Sequence, residues 1–179
     1  VAIGASSMAA ITSGRRNTAV GYNTLAGHKT GTYNTAVGFD ALGDTDAGDN
    51  SNNSDHNTAI GANTMDGNWA DVLSEYNTAV GSQSMNAALS GANYNTAVGY
   101  NSLGALTTGD YNVAIGSGAL DSATTLTKTV AIGTNAMQAA TDTSGQYTVA
   151  IGADAFQAGT ECAQSVAVGY QAGYAVTTG

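Results

Sequence analysis

Closely spaced aspartates are the residues of this chain best suited to hold a metal ion. Asp44, Asp46, Asp49 and Asp55 lie in a segment rich in Gly, Asn and Ser, and carboxylates are hard oxygen ligands of the kind that Ca²⁺ takes. The order of Asp and Gly does not match a calcium-loop template, and segments of this composition are usually solvated turns. Two interpretations therefore stay open: a calcium site at Asp44, Asp46 and Asp49, or a solvated loop without any cofactor.

A second polar segment contains Trp69, the only tryptophan. Its ring could stack on a sugar, or it could close the enlarged loop from which it comes. His56 and Tyr76 stand where the two segments rejoin the rest of the chain. We predict that a site for a host-surface glycan or protein, if this chain has one, uses Trp69, Asp44, Asp46, Asp49, His56 and Tyr76.

Catalytic groupings are missing from the sequence. The two histidines, His28 and His56, and the one cysteine, Cys162, form no Ser/His/Asp or Cys/His set, and there is no phosphate loop, zinc spacing or dinucleotide fingerprint. Cys162 has no basic neighbour in sequence of the kind that activates a thiol, and a lone cysteine cannot form a disulfide within the chain. We expect no enzymatic activity.

The charge balance excludes further classes. The chain has four basic and thirteen acidic residues, for a net charge of −9. A protein with this charge would repel nucleic acid. Anionic membrane surfaces recruit basic clusters, which are also missing, and no run is long and apolar enough to insert into a bilayer. An acidic surface suits an extracellular, cell-surface or virion protein.

All of these residues are carried by an internal repeat. The tripeptide Ala-Val/Ile-Gly occurs ten times, with 17 to 23 residues between successive glycines. A period of this size predicts an all-β parallel solenoid of about ten coils, one coil per unit. We interpret residues 1–179 as a single repeat array, a fragment of a longer fibre because both ends fall inside the pattern. Insertions at 43–56 and 66–76 should form one lateral protrusion.

Other positions keep phase with the motif glycine. The residues three and one before it are β-branched, and in all units but the last, which has Gly173, a larger apolar residue follows four positions after it. Side chains alternate along a strand, so we expect the branched face and the following apolar residue to form the coil interior. The bare Ala/Gly face would then lie outside, where other chains approach. Asn recurs four before the glycine, which predicts a polar ladder at a corner.

Aromatic residues also form columns, one of them five residues before the glycine: Tyr33, His56, Tyr76, Tyr94, Tyr111 and Tyr147. The rings either stack on one another or offer a platform for sugars. With few large apolar residues per coil, the core is thin for the backbone entropy that folding costs. We therefore expect the chain to associate with itself, with three copies as the best estimate.

The units Asn17-Thr18-Ala19-Val20-Gly21-Tyr22, Asn34-Thr35-Ala36-Val37-Gly38-Phe39 and Asn95-Thr96-Ala97-Val98-Gly99-Tyr100 resemble repeats of trimeric phage tail fibres and bacterial surface fibres. Ser165-Val166-Ala167-Val168-Gly169 is similar to the head repeats of trimeric autotransporter adhesins. The resemblance implies a left-handed parallel β-roll, three chains around one axis, and attachment to host surfaces. The units here are longer than those of adhesin heads, which favours the tail-fibre or related surface-fibre version.

Three functions follow as hypotheses. The first is a structural and attachment segment of a trimeric fibre. The second is a passive stalk or spacer, or a polymerised surface filament, without a ligand of its own. The third is an ice-binding solenoid, which is disfavoured because the phased threonines are predicted to point inward.

Overall fold

A computed structural model describes residues 1–43, 54–69, 72–140, 146–159 and 162–176. Ten short strands cover the ten tripeptide motifs. They are β1 (Ala2–Ile3), β2 (Thr18–Val20), β3 (Thr35–Val37), β4 (Thr58–Ile60), β5 (Thr78–Val80), β6 (Thr96–Val98), β7 (Val113–Ile115), β8 (Val130–Ile132), β9 (Val149–Ile151) and β10 (Val166–Val168). Asp44, Asp46 and Asp49, the predicted calcium ligands, lie outside the described residues.

The strands form one parallel sheet in the order in which they occur in the chain. Each motif pairs with the same motif of the next coil, so that Thr18 faces Thr35 and Ala19 faces Ala36. About nine turns result, and the described residues contain no helix. The prediction of an all-β parallel solenoid with one coil per unit is confirmed. The part of the chain that the structure describes also has no helix able to span a membrane.

The two faces of the strands are reversed relative to our expectation. The central alanines of β2 to β9 are fully buried, while the branched residues on either side are half-buried or exposed, as with Ile60 at 40% and Val168 at 66%. The prediction that the branched face forms the interior, with the Ala/Gly face outside, was wrong. The reason is the narrow coil. The turn after β5 folds so close across the sheet that the Ser84 hydroxyl lies 3.4 Å from the Ala97 carbonyl oxygen, which leaves space for a methyl group only.

The motif glycines from Gly4 to Gly152 do meet another backbone at close range, as expected, but it belongs to the next coil of the same chain. A Cβ atom added to Gly99 would lie 2.5 Å from the carbonyl oxygen of Gly116. The φ angle of Gly99 is also +136°, a region that L side chains rarely adopt. The repeated glycine is therefore explained by coil stacking and does not require a partner chain.

The larger apolar residue after each motif lies in the core, as predicted. Leu25, Leu42, Met65, Met85, Leu103, Leu120 and Met137 are fully buried and Phe156 is nearly so. The Leu and Met residues at this position have positive backbone φ angles, as at Leu103 (+50°). β-Branched residues are the ones most strained there, which explains why this column contains none. Trp69, Leu89, Leu106 and Leu126 are also fully buried in the core and were not predicted.

The predicted asparagine ladder is present and buried. The side-chain oxygen of Asn95 accepts a hydrogen bond from the backbone N–H of Asn112 at 2.9 Å, and its amide donates to the carbonyl of Gly109 at 2.8 Å. The same bonds join the earlier coils from Asn17 onward. The ladder ends where Thr129 donates its N–H to Asn112. Buried polar groups that are satisfied in this way tie each coil to the next.

Candidate functional site

A column of stacked rings runs along one corner of the solenoid, which confirms the prediction that the rings pack on one another. Tyr33, His56, Tyr76, Tyr94 and Tyr111 stack with ring centroids 4.7 to 5.0 Å apart and interplanar angles of 1 to 14°. We call these five residues the aromatic column. Its four tyrosines are 43 to 52% exposed, so the rims of the rings face solvent along several coils.

His56 and Tyr76, two of the predicted site residues, are direct neighbours in the aromatic column. Each ring inside the column is covered on both faces by the rings of adjacent coils. Sugars stack on ring faces, as the platform interpretation requires, and only the two end rings have a face without an aromatic neighbour from the column. The geometry therefore favours the interpretation in which the rings support one another.

Cations lie at both ends of the aromatic column. The guanidinium of Arg16 is 5.1 Å from the centroid of Tyr33, and its Nη1 donates a hydrogen bond to the Tyr33 hydroxyl. At the other end, Lys128 holds the same position in the coil after Tyr111, and its ammonium lies 5.3 Å from the centroid of Tyr147. Cation–π attraction of this kind contributes about 0.5–1 kcal/mol at an exposed site.

Three carboxylates are next to residues of the aromatic column in the chain. Asp55, Glu75 and Asp110 directly precede His56, Tyr76 and Tyr111 in the chain. Burial raises the pKa of the Glu75 carboxyl above its ordinary value, the charge of Asp55 raises it further, and His56 lowers it. The acidic side chains of successive coils are thus close enough to repel one another.

Trp69 does not join this surface. Its side chain is fully buried, and its indole N–H has no hydrogen-bond partner among the residues that the structure describes. The ring has no exposed face for a sugar in this arrangement, and the placement agrees with the alternative in which Trp69 closes the enlarged loop. Its spacing of eight residues from Gly61 equals that of the buried Leu89 from Gly81, and this spacing is the signal that could have revealed the core role.

Metal and thiol chemistry find little support in the part of the chain that is described. No group of three His, Cys, Asp or Glu residues able to hold a metal ion occurs there. Cys162 is buried, and this burial raises the pKa of its thiol, so the reactive thiolate is disfavoured. His28 is also buried, and its Nε2 lies 3.0 Å from the Ser54 carbonyl oxygen.

A second surface is the outward side of the sheet, which we call the Thr/Val face: the residues three and one before each motif glycine. It carries Thr in β2 to β6 and Val in β7 to β10 at the first position, and Val or Ile at the second. No charged residue belongs to it. Sequence reasoning found these residues but placed them in the core, because apolar β-branched side chains are usually buried.

Comparison with protein-family models, with curated proteins and with solved structures finds no match to this chain. The resemblance to fibre repeats therefore depends on the repeat residues themselves.

Proposed function

We propose that this chain is a structural and attachment segment of a trimeric extracellular or virion fibre, in which three copies pack their Thr/Val faces around one axis. The observation that carries the proposal is the outward direction of the β-branched residues. The strip is roughly 43 Å long for ten strands at ~4.8 Å spacing. At about 10 Å in width it covers roughly 400 Å², which is comparable to the largest apolar patch of a typical monomer, and such patches are often functional.

The repeat spacing favours a copy of the same chain as the partner. Because every strand pairs in register with the next, the branched side chains form two straight rows with the spacing of the strands. Side chains interdigitate over such a length only with a surface of the same spacing, and an identical copy has it. The resemblance to trimeric fibres further implies three copies and a left-handed coil.

The thin core supports the same proposal. The sheet contributes only alanine methyl groups to the interior, while its larger Val and Ile side chains remain partly in water. Each buried methylene contributes about 0.8 kcal/mol, so association of the Thr/Val faces would add the apolar burial that one coil lacks.

The mass of the particle in solution tests the proposal. We expect light scattering after size exclusion to give three times the chain mass of 17.7 kDa. Val98→Lys should yield folded monomers, because it puts a charge into the centre of the Thr/Val face without touching the core. The matched control is Ser82→Lys, an exposed position outside that face, which should leave the trimer intact. A wild-type monomer at all concentrations would contradict the proposal.

Attachment and passive spacing are separated by binding tests. Glycan arrays and cell binding with this chain should detect a ligand if the segment attaches. No binding here, together with binding by a longer chain that contains it, would favour the stalk or polymerised filament.

A second candidate is supported by one specific observation. Thr18, Thr35, Thr58, Thr78 and Thr96 are on the outward face, so the reason given above against ice binding no longer holds. A flat, regular array of threonine and valine could order water in a lattice. The same face cannot both pack against copies and meet ice, so a monomer that produces thermal hysteresis would favour this function over the fibre.

A further inference from the structure

We propose that the aromatic column binds an elongated, flat, cationic aromatic ligand that lies along it, across several coils. This site is separate from the Thr/Val face and does not depend on the proposed fibre function. The proposal is based on the stacking geometry of Tyr33, His56, Tyr76, Tyr94 and Tyr111 and on the charges around them.

The stacking determines the shape of the ligand. Centroids 4.7 to 5.0 Å apart leave no space for a ring to insert between neighbours, and both faces of the inner rings are covered. What remains exposed is a row of ring rims with regular spacing. A compact ligand would touch one or two rims only. A long, flat ligand crosses several at once, and its dispersion contacts add along the row.

The charged residues around the aromatic column indicate that the ligand carries a positive charge. Asp55 and Glu75 directly precede the inner rings His56 and Tyr76, and Asp110 precedes the end ring Tyr111. Desolvation together with the charge of Asp55 raises the pKa of Glu75. A positive charge placed here relieves that repulsion, whereas a neutral or anionic ligand does not. Arg16 and Lys128 stand at the ends, so a cation is favoured between them and disfavoured beyond them.

Arg16 shows that a ring of the aromatic column accepts a cation, and Lys128 shows the same for Tyr147, which has the same repeat position beyond the column. Where the column has no further ring, a guanidinium or an ammonium lies at 5.1 or 5.3 Å from a tyrosine centroid. The side chains of Arg16 and Lys128 are flexible and reach only the terminal positions. A rigid aromatic cation combines that charge preference with the flat contact that the inner rims offer.

Thioflavin T, a flat elongated cation whose fluorescence rises when its rotation is restricted, is the probe. We expect saturable binding to the full chain at low salt, with enhanced fluorescence. Because the attraction is partly electrostatic, raising NaCl from about 20 to about 500 mM should weaken binding roughly fivefold. Glu75→Gln, which removes one flanking charge, should weaken it roughly two- to threefold.

Variants of the column show whether the dye binds there. Tyr94→Leu should reduce affinity at least tenfold, while Tyr94→Phe, which keeps the rim, should retain it. Tyr100→Leu is the matched control, because Tyr100 is equally exposed but outside the column, and it should bind as wild type. Circular dichroism tests whether each variant is folded. If Tyr94→Leu does not fold, Tyr94→Phe and Glu75→Gln still test the proposal. No saturable binding, or binding that Tyr100→Leu weakens as much as Tyr94→Leu, would overturn the proposal.

Discussion

Replacing Gly99 by Ala tests whether close stacking of successive coils, and not contact with another chain, explains the motif glycine. The new methyl group would lie 2.5 Å from the carbonyl oxygen of Gly116 and 2.6 Å from its carbonyl carbon, both of which are backbone atoms. A flexible side chain could rotate away from such a contact, but a backbone paired in the sheet cannot.

Two costs add up at this position. A residue with a side chain at φ +136° costs about 1–3 kcal/mol in backbone strain. Forcing the stacked backbones apart costs about 1–3 kcal/mol more, as for overpacking in a core. The sum of about 2–6 kcal/mol is a large part of the 5–15 kcal/mol that typically stabilises a folded chain. With a urea dependence of about 1–3 kcal/mol per molar, the midpoint of unfolding should fall by about 0.7 M or more.

Gly169 offers the matched control. Its φ of +128° is similar, but the nearest atom to an added Cβ is the Cβ of Ala172 at 4.0 Å. Gly169→Ala therefore has the backbone strain without the clash, and it should lose about 1–3 kcal/mol only. Repeat arrays unfold in parts, so hydrogen exchange around Gly99 and Gly169 should accompany the urea curves followed by circular dichroism. Equal losses in the two variants would refute the stacking explanation.

Four further substitutions probe other elements. Asn95→Ala should cost about 1–3 kcal/mol, because the N–H of Asn112 loses its buried acceptor; urea unfolding measures the loss. Ala97→Leu should destabilise by about 1–3 kcal/mol through overpacking, while Val98→Leu on the outward face should change the stability of the monomer by less than about 0.5 kcal/mol. Folding raises the pKa of the Glu75 carboxyl. The contribution of Glu75 to folding stability is therefore fully present at a pH below its ordinary pKa near 4.5, and it is lost as the pH rises through the raised pKa of the folded state. Glu75→Gln should therefore raise the melting temperature at pH 7 relative to wild type, and that gain should vanish near pH 4.

Much of the fold could be predicted from the sequence because each coil repeats the same local requirements. The spacing of the glycines predicts the number of strands and their order, and the Asn and Tyr positions predict two ladders that the structure contains. Positions that recur in phase are necessarily stacked in a solenoid, so their contacts follow from the period alone.

The candidate site was less predictable, because the period does not determine the burial or rotation of individual side chains. Trp69 lies eight residues after its motif glycine, as the buried Leu89 does in the next coil, but the residue type at this position changes from coil to coil, so the pattern did not indicate a core position. The aromatic column was found from its spacing, but whether its rings present faces or rims to solvent depends on side-chain rotation. The pattern of one residue type per coil says nothing about that rotation.

The orientation of the strand faces shows why hydrophobicity alone misled the prediction. In Thr-Ala-Val the larger apolar groups flank a methyl group, and burying the larger surface is normally favourable. Here the interior is already filled by Leu103 and its equivalents, which stand at positive φ where branched residues are strained. The strand must then turn its smallest side chain inward, and β-branched residues remain outside, where they stabilise extended backbone. A single coil thus leaves its best apolar surface in water, and the regular repetition of that surface along ten strands is the physical reason to expect a second copy against it.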